Sequence, residues 1–80
     1  MAKILVADDA MFMRNRTSKL LTANGYEVVQ ASNGEEAVKR YFEEKPDVVL
    51  MDITMPVLDG IEALKQMKAG DPDARVVMVT

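Results

Sequence analysis

The stretch VVLMDITMP, residues 48–56, runs through four apolar residues to Asp52 and then reaches a proline at position 56. A short, continuous apolar run of this kind is typical of a strand buried on both faces of a parallel sheet. A second stretch, KILVADDA at 3–10, has the same form, because its apolar run ends on Asp8 and Asp9. Both stretches therefore predict a buried strand with carboxylates at its carboxyl end.

Further apolar runs complete a set of four predicted strands, at 4–7, 26–31, 48–51 and 76–79. The run at 26–31 mixes polar and apolar residues, which suits a strand at the edge of a sheet. Three helical segments lie between the strands. In the first, residues with helical spacing are followed by Gly25, where a left-handed C-terminal cap is expected. The positions in this stripe are Met13, Thr17, Leu20, Leu21 and Asn24.

The other two helices have clearer end signals. The second is predicted to begin with a capping box made by Ser32 and Glu35, and to end at Pro46. The third is predicted to begin at Asp59, with Glu62 three residues later, and to break at the turn AGDPD at 69–73. The predicted inward stripes are Ala37, Val38, Tyr41 and Phe42 in the second helix, and Ile61, Leu64 and Met67 in the third.

The order strand, helix, strand, helix, strand, helix, strand, with short connections, predicts an α/β fold with a doubly wound parallel sheet. The 80 residues suffice for one small domain, and a chain of this size buries only about 60% of its unfolded surface. The last predicted strand has no helix after it. We therefore expect an incomplete version of the fold, whose open edge pairs with a second copy to give a homo-oligomer.

Composition excludes several classes of function. The formal net charge is −3, with acidic and basic residues mixed along the chain, so nucleic-acid binding is not expected. The sequence has no cysteine and no histidine, which excludes thiolate chemistry and catalysis by imidazole within this chain. The first residues have too few apolar positions for a signal peptide or a membrane span. We expect a cytoplasmic protein.

The carboxylates at the strand ends predict a metal site. In an open parallel sheet, ligands bind beyond the carboxyl ends of the strands, and neighbouring strands lie ~4.8 Å apart. If the first and third strands are neighbours, Asp8, Asp9 and Asp52 converge, and their mutual repulsion favours a hard divalent cation such as Mg²⁺. Asp52 is then the best candidate nucleophile towards phosphorus.

Simpler interpretations of the same residues remain open at this point. Asp8 or Asp9 alone could be a helix N-cap, and Pro56 alone could be only a turn former. Met11 and Met13 are expected to be packing residues rather than a partner-binding surface.

Three motifs together resemble a known family, the receiver domain of two-component response regulators. ILVADDA at 4–10 resembles its acidic pair, DVVLMDITMPVLDG at 47–60 its phosphoacceptor strand and loop, and VVMVT at 76–80 its switch strand. The segment DDAMFMRN at 8–15 favours the CheY-like chemotaxis type. The resemblance implies a flavodoxin-like fold and a partial receiver domain over 1–80, without the family's last helix, strand and helix and the invariant lysine of that strand.

The resemblance also implies roles for individual residues. Asp52 would accept a phosphoryl group from a histidine kinase, and Thr80 would bond to a phosphoryl oxygen. Mg²⁺ would be held by Asp8, Asp9, Asp52 and the backbone carbonyl of Thr54. The charge added by phosphorylation would bias a loop between two states. The phosphorylated form would then act on a downstream output protein such as the flagellar motor switch.

Three alternatives compete with this interpretation. A truncated half fold could assemble through its open edge and perform no phosphotransfer. An aspartate-based phosphohydrolase needs a second carboxylate two residues after the nucleophile, where this chain has Thr54, so we do not expect an enzyme. A dinucleotide-binding unit is disfavoured because no G-x-G-x-x-G motif follows the first strand.

Overall fold

The strands and helices follow the predicted order. The computed structural model describes residues 2–53 and 55–79. Its elements are β1 (Lys3–Ala7), α1 (Met11–Ala23), β2 (Glu27–Ala31), α2 (Gly34–Glu44), β3 (Val48–Asp52), α3 (Gly60–Gly70) and β4 (Val76–Val79). None of the helices within these two ranges is long and apolar enough to cross a membrane.

The four strands form one parallel sheet in the order β2-β1-β3-β4. In this register Leu5 lies between Val29 and Val49, and Asp52 lies opposite Val79. The chain moves outward from β1 in one direction and then returns to build on its other side, as in doubly wound, flavodoxin-like sheets. The prediction of the fold class is confirmed, and β1 and β3 are neighbours as the predicted site requires.

The main core lies between the sheet and the pair α2 and α3. Leu5, Val49, Met51 and Met67 have no exposed surface there. Strand residues alternate between this face and the face next to α1, because successive side chains of a strand point to opposite sides.

A hydrogen bond links α2 to the residue that follows α3. The Tyr41 hydroxyl of α2 donates to Asp71 Oδ2 at 2.6 Å, just beyond the end of α3. Burial, followed by this hydrogen bond, raises the pKa of Tyr41 to about 12. The phenol therefore remains a donor throughout the neutral pH range, and it ties the two core helices together.

Two of the predicted helix ends are confirmed. Gly25 has a φ of +88°, and the amides of Gly25 and Tyr26 donate to the carbonyls of Thr22 and Leu21 at 3.1 Å. This is the double hydrogen bond of a Schellman cap. At α3, Asp59 is the N-cap and accepts a hydrogen bond from the Glu62 amide at 2.8 Å.

The capping box predicted for α2 is wrong by one residue. Asn33, not Ser32, is the N-cap, and its side chain accepts from the Glu36 amide at 2.8 Å. The Glu36 carboxylate accepts in turn from the Ser32 amide at 3.2 Å. Both Ser32 and Asn33 are good caps, and both are followed three residues later by a glutamate, so the local sequence does not distinguish the two registers.

Parts of the predicted helix stripes are also wrong. Met13, Leu20 and Asn24 of α1 are exposed, whereas Ser18 is buried and donates to the Arg14 carbonyl. In α3, Ile61 is 44% exposed. Gly60 and Ala63 face the sheet in its place because their small size lets the helix approach β3 closely. Phe42 is 42% exposed and lies against Gly70 rather than in the core.

Candidate acidic site

Three aspartates converge at the carboxyl edge of the sheet. Asp8 and Asp9 follow β1, and Asp52 is the last residue of β3. Each offers a carboxylate oxygen such that the three oxygens lie within 4.8 Å of one another. Asp8 and Asp52 are partly buried, whereas Asp9 is exposed. The adjacent parallel strands bring these side chains together as predicted.

The backbone around Asp8 is held on three sides. Its amide donates to the Ala31 carbonyl of β2 at 3.1 Å, and its carbonyl accepts from Arg14 Nη1 at 2.7 Å. Its Oδ1 accepts from the Ala10 amide at 2.9 Å. The N-cap of α1 is Ala10, which makes no side-chain capping bond. The alternative that Asp8 or Asp9 is simply a helix N-cap is therefore wrong.

The loop after Asp52 contains a tight turn. The Leu58 amide donates to the Pro56 carbonyl at 2.7 Å, and Val57 between them has a φ of +68°. A positive φ is uncommon for a β-branched residue, and backbone of this kind concentrates at functional sites. The Gly60 amide donates to the Ile53 carbonyl at 2.8 Å and closes the loop onto α3. Pro56 thus forms a turn, within the loop that leads from Asp52 to α3.

Two glycines let neighbouring backbone approach the same loop. A Cβ placed on Gly34, at the start of α2, would lie 1.8 Å from the Leu58 carbonyl oxygen. One placed on Gly60 would lie 2.2 Å from the Asp52 carbonyl oxygen. Neither position has room for a side chain. The loop after Asp52 is thus packed closely against the first residue of α2 and the first residue of α3.

A groove of about 410 Å³ opens next to the carboxylates, on the α1 side of the sheet. Asp8 and Asp52 are part of its lining, and most of the remaining lining is apolar. The rest of the lining is Val6, Ala7, Ala10, Met13, Thr17, Leu50 and Val79. Met13 is 47% exposed and Met11 65% exposed, so the expectation that both are packing residues is wrong.

The residue types at the site fit a hard divalent cation. Mg²⁺ binds oxygen ligands at ~2.0–2.1 Å, so two oxygens on one ion lie no more than about 4.2 Å apart. The three carboxylate oxygens all lie within 4.8 Å of one another, which is close to the spacing that ligation by all three requires. A small closure, or water in one ligand position, satisfies the ion, since Mg²⁺ usually keeps several of its waters.

Two predicted site residues, Thr54 and Thr80, lie outside the described ranges 2–53 and 55–79. Lys3 lies at the start of β1, at the end of the sheet away from the carboxylates, where its ammonium pairs with Glu44 at 3.2 Å and Glu27 at 3.3 Å. Hydrogen bonds from the charged Lys3 to Glu44 and, as a smaller contribution, to Glu27 raise the pKa of Lys3.

Arg14 and Gln30 were not predicted from the sequence to belong to the site. Their side chains form a hydrogen bond of 3.0 Å, and Arg14 also contacts residues 8–10, here called the Asp8 loop. The available signal was a basic residue in the first turns of the helix that follows the acidic pair.

A flavodoxin-like parallel sheet with an acidic cluster at its carboxyl edge is the architecture of a receiver-type signalling domain. A family model described as the response regulator receiver domain matches residues 4–80. The chain belongs to that family. The resemblance inferred from the three motifs is confirmed.

Several curated relatives of the chain are chemotaxis proteins. The chain is 54% identical over 79 residues to the chemotaxis protein CheY of Listeria monocytogenes, which covers 98% of this chain and 66% of that protein. It therefore spans just under two thirds of this relative's length. The sequence and the fold are those of a CheY-like receiver.

Solved structures agree. The response regulator TrrA of Thermotoga maritima, in complex with Mg²⁺ and BeF, superposes with a TM-score of 0.93 at 37% identity, covering 98% of this chain and 68% of that one. A chain of the CheX–CheY–BeF3–Mg²⁺ complex from Borrelia burgdorferi superposes with a TM-score of 0.92 at 36% identity, covering 96% and 60%.

Proposed function

We propose that this chain is a phosphoacceptor receiver that takes a phosphoryl group onto Asp52 with Mg²⁺ bound at the acidic cluster. The observation that carries this proposal is the convergence of the Asp8, Asp9 and Asp52 carboxylates at the carboxyl edge of the sheet. Membership of the receiver family and the CheY relatives support it. The chain itself is proposed to be a signalling domain rather than an enzyme with a separate substrate.

Asp52 is the proposed acceptor because of its position. It ends a strand inside the sheet, is partly buried, and lines the groove through which a donor can approach. A carboxylate oxygen of Asp52 forms the new bond to phosphorus while the bond between phosphorus and the donor breaks, and the electron pair of that bond leaves with the donor. With a phosphohistidine donor, the leaving group is an imidazole of the partner kinase.

Asp8 and Asp9 are proposed to hold Mg²⁺ together with Asp52 and the Thr54 carbonyl. Bound there, the ion would neutralise charge on the transferring phosphoryl group. The residues of this chain supply the rest of the arrangement, because the Asp8 loop and the closely packed loop after Asp52 keep the carboxylates in place. Thr80 is proposed to bond to a phosphoryl oxygen after transfer.

Incubation with acetyl phosphate and Mg²⁺ is expected to add one phosphoryl group to the chain, detected by intact mass spectrometry. The reaction should depend on Mg²⁺ because the acidic cluster otherwise repels an anionic donor. Asp52→Asn should abolish the adduct, since an amide is not a nucleophile towards phosphorus. Asp47→Asn is the matched control, because Asp47 lies at the opposite end of β3 and accepts from the Lys3 amide.

An adduct that persists in Asp52→Asn, or that forms equally well in EDTA, would contradict the assignment of acceptor or metal respectively. No adduct on the unaltered chain would refute phosphoacceptor function for these 80 residues. Equal loss of the adduct in Asp47→Asn would show that the effect is not specific to Asp52.

The proposed partners follow from the same chemistry. The donor is proposed to be a histidine kinase, and the output partner a protein that recognises the phosphorylated form, such as the flagellar motor switch. The Borrelia burgdorferi complex contains a CheY with CheX, so a CheX-type protein is another candidate output partner.

A second candidate function is self-association, favoured by the uncovered face of β4. Val77 and Val79 are each 50% exposed on the face next to α1, and β4 is an edge strand of the sheet among the described residues. Contiguous exposed apolar surface beside an open strand edge favours association with another chain. We propose that a second copy of this chain covers this face.

Sedimentation equilibrium is expected to show a dimer or larger assembly that Val77→Lys weakens at least tenfold, because a charge on the covered face must be desolvated. Gln66→Lys on the exposed surface of α3 makes the matched change in charge and should leave the assembly constant unaltered. A monomer at all concentrations, or equal effects of the two variants, would refute self-association through β4.

A further inference from the structure

Arg14 connects three elements behind the acidic site. It lies on α1, and its Nη1 donates to the Asp8 carbonyl of the loop after β1 at 2.7 Å. Its Nε donates to Gln30 Oε1 on β2 at 3.0 Å. The side chain is partly buried. One guanidinium therefore spans from a strand to the loop that carries two of the three site carboxylates.

The contact falls at the point where the loop changes direction. The Asp8 amide is already fixed to the Ala31 carbonyl, and the Asp8 carboxylate to the Ala10 amide. The Asp8 carbonyl belongs to the peptide that joins Asp8 to Asp9, so the bond from Arg14 sets the orientation of that peptide. The direction in which the exposed Asp9 leaves the backbone depends on the same peptide.

We propose that Arg14 is a positioning residue for the metal site, acting through the Asp8–Asp9 peptide rather than by touching the ion. This inference rests on the proposed function, since it assigns a role towards the Mg²⁺ that the acidic cluster would bind. Gln30 is the support that orients the guanidinium. Residues that orient metal ligands from behind typically change metal affinity by about 10–100-fold when they are replaced.

The direction in which Mg²⁺ affinity changes on replacing Arg14 distinguishes a positioning role from an effect of its charge. A guanidinium near a cation site repels the cation, so removing its charge alone should tighten Mg²⁺ binding. Loss of the orienting hydrogen bond should weaken binding instead. Lysine separates the two further, because it keeps the charge but lacks the planar fork that reaches both the Asp8 carbonyl and Gln30.

The test is a Mg²⁺ titration of the full chain, followed by the amide NMR signals of Asp9 and Ala10. Arg14→Met and Arg14→Lys are each expected to raise the Kd about tenfold. Gln30→Met should also raise the Kd, but by a smaller factor. Because it leaves Arg14 in place, this variant can be used if Arg14→Met does not fold. Arg16→Met is the matched control, because Arg16 is an exposed arginine on the same helix, and its Kd should stay within about twofold of the unaltered chain.

Two results would overturn the proposal. Tighter binding in Arg14→Met with no change in Arg14→Lys would assign Arg14 a purely electrostatic effect. Unchanged Kd values in the folded variants, with only the melting temperature lowered, would assign it a purely structural one.

A metal-free measurement keeps this inference separate from the proposed function. In the absence of Mg²⁺, Arg14→Met is expected to speed hydrogen exchange of the Ala10 amide about fivefold, because the Asp8 loop that accepts its hydrogen bond is released. Arg16→Met should not change it. If the unaltered chain binds no Mg²⁺, the proposed function fails and this exchange rate still decides whether Arg14 positions the loop. An unchanged exchange rate would refute the positioning role.

Discussion

Replacing Gly60 with alanine is expected to lower the free energy of unfolding by about 3 kcal/mol, the upper part of the range for forced overpacking. The new Cβ would lie 2.2 Å from the Asp52 carbonyl oxygen and 2.9 Å from the Ile53 Cα. Both atoms are backbone, so the clash cannot be relieved by a side-chain rotation. Relief requires either α3 or the end of β3 to move, and the end of β3 carries the proposed phosphoacceptor.

Gly70→Ala is the matched control for this change in urea unfolding. A Cβ at Gly70 would lie 2.6 Å from the end of the Phe42 ring. Phe42 is 42% exposed and can rotate away, so we expect a cost below about 1 kcal/mol. The acetyl phosphate assay adds a second readout, because only Gly60→Ala should also slow modification of Asp52. Equal stability losses at the two glycines would contradict the close approach of α3 to β3.

Replacing Leu5 with alanine is expected to cost about 4 kcal/mol, within the ~2–5 kcal/mol range for large cavities in a core. Leu5 has no exposed surface and lies between two strands of the sheet. Chains of this length have a total stability of about 4–12 kcal/mol. The substitution should therefore remove a large share of the stability, measured by thermal or urea unfolding.

Leu20→Ala makes the same chemical change on the outer surface of α1, where Leu20 is 65% exposed. It should change the free energy of unfolding by no more than about 0.5 kcal/mol. A cost at Leu20 similar to that at Leu5 would mean that the outer side of α1 is covered in solution. A small cost at Leu5 would contradict its place at the centre of the core.

The sequence predicts the sheet well because most of its strands are continuous apolar runs, although Val77 and Val79 on one face of β4 are exposed. Continuous apolar runs such as 48–51 have few other uses in a short chain, and their alternation with helices permits few topologies. The site follows from the same reasoning, because carboxylates at the ends of neighbouring parallel strands must lie together. Asp8 and Asp52 could therefore be paired before their distance was known.

Features that depend on distances between elements were beyond the sequence. Ser32 and Asn33 are equally good caps, and the packing of α2 decides between them. Ile61 has the right spacing for a buried stripe, but the close contact of Gly60 with β3 turns it outward. The Arg14 side chain reaches a different strand and a different loop, and helical periodicity contains no information about such contacts.

The close approach of Gly34 to the Leu58 carbonyl makes the first residue of α2 a packing neighbour of the loop that follows the proposed phosphoacceptor Asp52. Any side chain at position 34 must push that loop outward, and the loop leads directly from Asp52. A saturation mutagenesis screen scored for signalling output should therefore group position 34 with the carboxylates rather than with the helix to which it belongs. Sensitivity to substitution would then extend to every residue that packs closely against this loop, including glycines that have no functional group of their own.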